Sequence, residues 1–445
     1  MEPRYELPDG ARYSCVMCSE SCRRWHVFLT PEEQQRLMSH DWAAESPRLA
    51  GVKLFDEVPS PAGRGQKAVR LAKLGDACVF LEPDNLCLIH KTQGLAAKPG
   101  PCQQYPFHLA STPDGVVVSL DFACTSVLAD TGAPLAEQMA DVEAAYQAEQ
   151  RRATMLAQLG LPARGIPAEG LQLQPKQPLH WRNYRALEGA MLGTLAQTSP
   201  TLEQRLLGLD KLLRDAAARF GPELAQPSDA LAAWTTELAG QDYAPLLGEQ
   251  PPANLSPMRQ RAAMAPFIGG LEEQWATWGT KGGGLGTRLT LAIIIANGVG
   301  PLPLSSLEAT VDQGQMNRTR FPQDDPELSY LFARYLKGLL QRKSLVDNTD
   351  VYQGFRYLLL SFAAARWYAV AGAALAGRDT VELDDLRAGI RVVEKGLGHA
   401  VGLRTATTQR VVRFLFGRLA SPATVIHNFY TGEAPATRRQ QPASS

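Results

Sequence analysis

Seven cysteines lie in the first 124 residues: Cys15, Cys18, Cys22, Cys78, Cys87, Cys102 and Cys124, and residues 125–445 contain none. Even scattering would put about two of the seven there, so the clustering marks out a module. The group opens as Cys15-Val-Met-Cys18-Ser-Glu-Ser-Cys22. A C-x2-C pair brings two sulfurs to one side of a tight turn, where both reach one metal, and three further residues bring Cys22 round to the same side. Thiolate is a soft donor and selects zinc, copper(I) or iron–sulfur clusters over magnesium or calcium. A single cysteine would read as a small buried hydrophobe; seven in one module with this opening argue for metal ligation. The N-terminus, MEPRYELPDG, lacks the basic and apolar regions of a secretory signal. The expected compartment is therefore the cytoplasm, where thiols stay reduced and disulfides are rare.

The spacing leaves the metal open between iron and zinc and leans towards an iron–sulfur cluster. Structural zinc is generally satisfied by two short-spaced pairs. Here only the first pair is close, while Cys78, Cys87, Cys102 and Cys124 are dispersed, and a bulky cluster gathers ligands from several directions. Seven thiols also exceed one zinc site. Zinc stays open if Cys78 and Cys87 pair across a hairpin. His26, His90 and His108 are the nearby histidines, with His90 at a ligand-like spacing in Cys87-Leu-Ile-His90; an ordinary core or surface role is the expectation for each.

Three stretches, CVMCSESCRRWHVFLT from Cys15, CVFLEPDNLCLIH from Cys78 and KPGPCQQYPF from Lys98, together with Cys124, resemble the YkgJ-type cysteine-cluster family of zinc- or iron-chelating proteins. The resemblance covers about residues 12–130. It implies that all seven cysteines are metal ligands and that Pro106 and Phe107 shape the loop after Cys102. The family opens with C-x2-C-x2-C-C; here Ser21 stands for the first of the adjacent pair and Cys22 keeps the second. Flagellin lysine N-methylases of the FliB type belong to the same broad group. This implies a second reading, a protein lysine N-methyltransferase using S-adenosylmethionine.

The elements that must position these residues divide the chain. Thr30, Pro31 and Glu33 form a helix start over 30–40. Residues 78–89 read as two short strands around Pro83-Asp84-Asn85, and Asp114-Gly115 precedes another strand, VVVSLDF. Residues 1–130 are thus expected to be a small, loop-rich cysteine module. Beyond it the apolar period becomes helical, with helices expected at 135–159, 181–198, 202–220, 228–239, 257–278, 327–345, 352–376, 383–401 and 408–419. The predicted fold is α+β: a cysteine-rich metal-binding module followed by a mainly α-helical domain over 131–430. A Pro/Gly-rich linker falls at 160–178 and a disordered tail at 431–445.

Composition narrows the function further. A length of 445 residues suggests two or three domains. Lys plus Arg and Asp plus Glu both number 45, giving no basic surplus for nucleic acid or an anionic membrane. The stretch YLLLSFAAARWYAVAGAALAG at 357–377 is long enough to span a bilayer, but Arg366 at its centre and its alanines predict a buried helix. Lys281-Gly-Gly-Gly-Leu-Gly-Thr-Arg288 lacks a full G-x-G-x-x-G and reads as a linker. Trp275, Trp278, Trp367 and Tyr368 read as core, and Asp379 or Thr380 as a helix cap. No G-x-S-x-G, H-E-x-x-H or P-loop occurs. The expected partner is a protein, either a docking partner or a substrate, with no nucleic acid and no membrane.

Overall fold

The computed structural model describes residues 3–23, 25–59, 67–158, 166, 169–239, 257–277, 285–343, 346, 349–398, 412, 413, 416 and 421–428. The chain is mixed α+β and mainly helical. It divides into two compact units, Met1–Ala168 with Gln341–Asp347, and Glu169–Leu340 with Asn348–Ser445. The expected tail at 431–445 lies outside the described residues.

The first unit contains all seven cysteines. Its strands are β1 (Tyr5–Glu6), β2 (Arg12–Tyr13), β3 (Phe55–Pro59), β4 (Lys67–Leu71), β5 (Lys73–Leu74), β6 (Ala77–Cys78), β7 (Phe107–Thr112), β8 (Gly115–Leu120) and β9 (Ala133–Pro134). Its helices are α1 (Pro31–Met38), α2 (Trp42–Glu45), α3 (Leu88–Gln93), α4 (Gly100–Gln104), α5 (Thr125–Ala129) and α6 (Met139–Gln158). The unit is thus richer in short helices than its loop-rich sequence suggested. Strands β7 and β8 form a hairpin, and β1 joins β8 in parallel. A separate apolar core gathers Leu37, Trp42, Leu71, Val79, Phe80 and Ile89, with Cys78 and Cys87 packed at its edge.

Two details differ from the sequence reading. Residues 78–89 do not form two full strands: only Leu81 bridges Cys87, after which the chain turns directly into α3. Helix α6 packs on α4 and β7, so the first unit continues past residue 130. Its amphipathic face is covered by the cysteine-bearing segment, a tertiary fact that periodicity alone does not carry.

The second unit is built from helices and two hairpins. The helices are α7 (Trp181–Ala196), α8 (Leu202–Phe220), α9 (Asp229–Ala239), α10 (Pro257–Thr277), α11 (Leu285–Asn297), α12 (Gln313–Arg318), α13 (Pro326–Gln341), α14 (Val351–Leu375), α15 (Leu383–Val393) and α16 (Pro422–Asn428). The hairpins are β10 (Gln172–Gln174) with β11 (Gln177–Pro178), and β12 (Pro301–Leu304) with β13 (Ala309–Asp312). Helix α11 begins inside the glycine-rich stretch expected to be a linker; residues 281–284 of that stretch lie outside the described residues. Of the helix expected at 408–419, only residues 412, 413 and 416 are described. Helix α15 starts at Leu383, and Asp385 accepts the Glu382 amide at 2.9 Å. Its start therefore falls later than the Asp379 and Thr380 caps expected.

Helix α14 is the core of this unit. It is long and apolar enough to cross a membrane by composition, yet 89% of its most apolar window is buried in the protein. Its alanines permit close approach: a Cβ at Gly389 of α15 would stand 2.4 Å from the Ala365 carbonyl. Trp367 and Tyr368 are buried core, as expected; the Trp275 side chain and Trp278 lie outside the described residues. Arg366 is also buried. Its Nη1 donates to Glu203 Oε1 at 3.0 Å, and its guanidinium stands over Phe321 and Phe362 at 4.7 and 5.2 Å. Removing one partner of a buried pair strands the other charge, at a cost of about 3–5 kcal/mol. Glu203→Leu should therefore lower unfolding stability by about that amount. Adding Arg366→Met should recover most of it, as measured by urea unfolding of the full chain.

Candidate metal centre

Backbone pairing makes two groupings, Cys22 with Cys78 and Cys87, and Cys15 with Cys124. In the first, Arg23 bridges Ala77 in antiparallel fashion, which sets Cys22 beside Cys78. Cys78 ends β6, paired to β5 through Lys73, and its carbonyl accepts the Leu81 amide at 2.9 Å. The Leu81–Cys87 bridge returns the chain to the same place, with Cys87 preceding α3. Cys102 lies in α4, whose first amide, at Gly100, donates to Glu33 Oε1 at 2.6 Å. Glu33 also closes the Thr30 capping box of α1, so one carboxylate fixes two helix starts. Arg48 clamps the chain beyond Cys78. Its Nε donates to Glu82 Oε1 at 2.7 Å, and its Nη2 donates to the Val79 and Leu81 carbonyls at 2.8 and 2.7 Å. Ser19 Oγ donates to Asn85 Oδ1 at 3.1 Å, tying the opening loop to the turn between Cys78 and Cys87.

The second grouping is that of Cys15 with Cys124. Strand β2 pairs with β9, Tyr13 opposite Ala133. The Ser14 amide donates to Ser126 Oγ at 3.2 Å, and Ser14 Oγ accepts the Ala133 amide at 3.0 Å. These bonds draw Cys15 towards Cys124, which precedes α5. Gly132, at φ +110, permits the contact: a Cβ there would stand 2.3 Å from the Ser14 nitrogen. Between the first two cysteines Met17 adopts a left-handed φ of 53, followed by Ser19 at 59. Such backbone costs a bulky residue on the order of 1–2 kcal/mol, and it is the bend that wraps the opening loop. The Tyr13 ring lies edge-on to Phe107 at 5.7 Å, and Tyr105 to Trp25 at 5.1 Å. The Pro106 carbonyl accepts the Asp121 amide at 2.8 Å, and Phe107 begins β7.

Electrostatics follow the same division. Burial pushes the Cys78 thiol up to about 12, and Cys22 and Cys87 reinforce the shift. Burial likewise holds Cys102 well above the ordinary thiol value. Lys98 opposes that shift, while Cys22, Cys78 and Cys87 add to it. Cys22 is raised by burial and then by Cys87, with Cys18 the smallest cause. In the second group burial takes Cys124 up to about 11, with Cys18 and Asp121 contributing. Tyr105 is raised by burial, then by Asp121, Cys124 and Cys18; Tyr13 is raised by burial, then by Cys15 and Cys124. Among the described residues, no three His, Cys, Asp or Glu side chains converge on one point as a bound ion would require. The thiols stand within one another's field without closing on a centre.

The three histidines sit in different surroundings. His26 is shifted down to about 3 by burial, then by Lys73 and Arg70. His90 is lowered by burial and by Lys98. His108 Nε2 meets Asp121 Oδ2 at 3.2 Å in a buried pair. Arg48, Ser19 and Gly132 escaped the sequence reading because their importance lies in long-range bonds, and Glu33 was read there only as a helix-start residue, without its bond to Gly100. The capping-box residues were its one local signal.

No family model matches the chain, and no solved structure matches it. A segment of 108 residues is 29% identical to an uncharacterized protein of Methanocaldococcus jannaschii. It covers 24% of this chain and 33% of that protein, so the match spans about a third of the relative's length.

Two predictions follow from burial and charge. Cys15 and Cys18 are exposed, and Cys124 is buried. In reduced, chelator-treated protein, iodoacetamide should label Cys15 and Cys18 fastest and Cys124 slowest, as read by peptide mass spectrometry. Uniform labelling would contradict the burial pattern. Because His26 is held below its ordinary 6.5, the unfolded chain takes up a proton that the folded chain refuses once the pH falls through that value. His26 therefore costs the fold nothing by titration above about pH 6.5, and a destabilisation grows from there as the pH falls towards about 3. Amide-exchange protection at Leu29 and Leu71, whose amides donate to the Val69 and Val27 carbonyls, should fall over that range and fall less in His26→Leu.

Proposed function

We propose that the chain is a cysteine-cluster metal-binding protein of the cytoplasm, resembling the YkgJ type and holding an iron–sulfur cluster in preference to zinc. The observation that carries this reading is the gathering of Cys22, Cys78, Cys87 and Cys102 from four segments into one mutually interacting group. The donor chemistry fits. Thiols that raise one another's pKa carry a repulsion that a cation relieves, and Lys98 and Lys73 supply further positive charge. Zinc would need its sulfurs within about 2.3 Å of one point, whereas a cluster spreads its ligands over several irons. The dispersal of the cysteines over separate segments, from Cys22 to Cys102, is what favours the larger group. A bound cluster would cross-link the four segments and exchange single electrons.

The same reading gives the chain a protein partner and neither nucleic acid nor membrane, in keeping with its balanced charge. Lysine N-methyl transfer is the rival. A Rossmann-type donor site needs a strand, a glycine-rich turn and a helix in a parallel sheet. Among the described residues, the one parallel pairing between strands is the two-residue match of β1 with β8, and neither strand leads through such a turn into a helix. Anaerobically purified protein should be brown, contain iron and acid-labile sulfide, and bleach on reduction. Cys22→Ala or Cys87→Ala should remove most of the colour. Colourless protein with stoichiometric zinc would transfer the assignment to zinc, and protein with neither metal would end it.

A further inference from the structure

We propose that Cys15 and Cys18 form a reversible thiol–disulfide site, oxidised by a low-molecular-weight disulfide and separate from the cysteines that carry the metal reading.

Access comes first. Cys15 and Cys18 are exposed, Cys22, Cys78, Cys87 and Cys102 are half-buried, and Cys124 is buried. Val16 and Met17 between the exposed pair are 50% and 59% exposed, so the whole run from Cys15 to Cys18 faces solvent. A solute reaches these two sulfurs without opening the fold.

The backbone supplies the rest. A disulfide needs its Cα atoms about 4.4–6.8 Å apart, whereas three extended residues span about 10 Å. This run is not extended: Met17 adopts a left-handed φ of 53, which folds the chain back between the two cysteines. Among the described residues, no backbone amide or carbonyl from Cys15 to Cys18 is hydrogen-bonded, so the sulfurs close on each other without breaking a bond of the fold. Both ends of the run are held. The Ser14 amide donates to Ser126 Oγ at 3.2 Å. Ser19 Oγ donates to Asn85 Oδ1 at 3.1 Å, and the Ser19 carbonyl accepts the Cys22 amide at 2.8 Å. A short free run between two fixed ends keeps the closure entropy low. The other thiols are poorer partners. Cys22 lies beyond the Ser19 anchor, beside Cys78. Cys124 is buried, its amide donating to the Asp121 carbonyl at 3.1 Å and its carbonyl accepting the Leu128 amide at 2.9 Å, so an oxidant would have to enter the core to reach it.

The exchange balances within the named reactants. One thiolate of the pair attacks a sulfur of the small disulfide, forming a mixed disulfide and releasing a thiolate that takes up a proton. The second thiolate then attacks the protein sulfur of that mixed disulfide, forming the Cys15–Cys18 bond and releasing the second small thiol. The protein dithiol is oxidised by two electrons, and one small disulfide is reduced to two thiols. In a reducing compartment such a bond is transient, which is the usual character of cytosolic disulfides.

Full-length protein, isolated anaerobically without chelator, is exposed to glutathione disulfide and glutathione at graded ratios. It is then quenched in acid, unfolded, alkylated and mapped by peptide mass spectrometry. At oxidising ratios the peptide carrying Cys15 and Cys18 should lose two hydrogens and its alkylation at both positions. Alkylation should persist at Cys22, Cys78, Cys87, Cys102 and Cys124, and dithiothreitol should restore the pair. Cys22→Ser should keep the disulfide. Cys15→Ser or Cys18→Ser should abolish it and leave the remaining exposed thiol as a mixed disulfide with glutathione. A disulfide that joins Cys22 or Cys124 to either residue would overturn the proposal, as would thiols that stay reduced at every ratio. Oxidation that begins only after a chelator has stripped the metal would also overturn it, by assigning Cys15 and Cys18 to the metal. Iron, zinc and labile sulfide measured on the same sample test the metal reading separately. Metal-free protein that still forms the Cys15–Cys18 bond would end that reading and leave this site standing.

Discussion

Thiols crowded at one spot repel one another once ionised, and burial denies them the water that would screen the repulsion. In the first unit, the shifts of Cys22, Cys78 and Cys102 each combine burial with neighbouring thiols. A fold that merely needed small apolar side chains would gain nothing from placing them in one another's field. The surrounding bonds hold these segments in place. Arg48 clamps the chain after Cys78 through two carbonyls and Glu82, Glu33 anchors the helix that carries Cys102, and the Ser19–Asn85 bond ties in the opening loop. The apolar core behind Cys78 and Cys87 is modest in size, and ligation is the usual means by which a small loop-rich unit gains what its core lacks.

Much of the second unit was legible because its signals are local. Helix α8 occupies Leu202–Phe220 with a Thr201–Gln204 capping box, and α7, α9, α10, α13 and α14 lie within a few residues of their apolar periods. The β12–β13 hairpin was not legible. Two prolines in Pro301–Leu304 disguise a strand whose alternation, Leu302 and Leu304 buried against Pro301 and Pro303 exposed, becomes plain only once the partner strand is known. In the first unit the cysteines themselves were legible, and the pairings that set Cys22 beside Cys78 and draw Cys15 towards Cys124 were not. Sequence spacing placed Cys22 with Cys15 and Cys18, whereas a left-handed turn at a methionine and a serine, a conformation no propensity foretells, sends it towards Cys78.

Helix α14 shows the same limit from the opposite side, since composition alone allows it two environments. What decides between them is Arg366. In a bilayer its charge would need a partner or a route to the interface; here it finds Glu203 on α8 and the faces of Phe321 and Phe362. Its Nε and Nη2 remain buried without a hydrogen-bond partner among the described residues, so the pair is imperfectly satisfied there. Burial lowers the arginine's own affinity for its proton, while Glu203 supports it. A hydrophobic pair of similar volume would often be as stable or more so. What the ion pair adds is register. A uniformly alanine-rich surface on α14 could meet α8 at several rotations, but a buried guanidinium tolerates only the one that places Glu203 against it. On that argument the charge at the helix centre serves as the feature that makes the packing of an otherwise featureless helix unique.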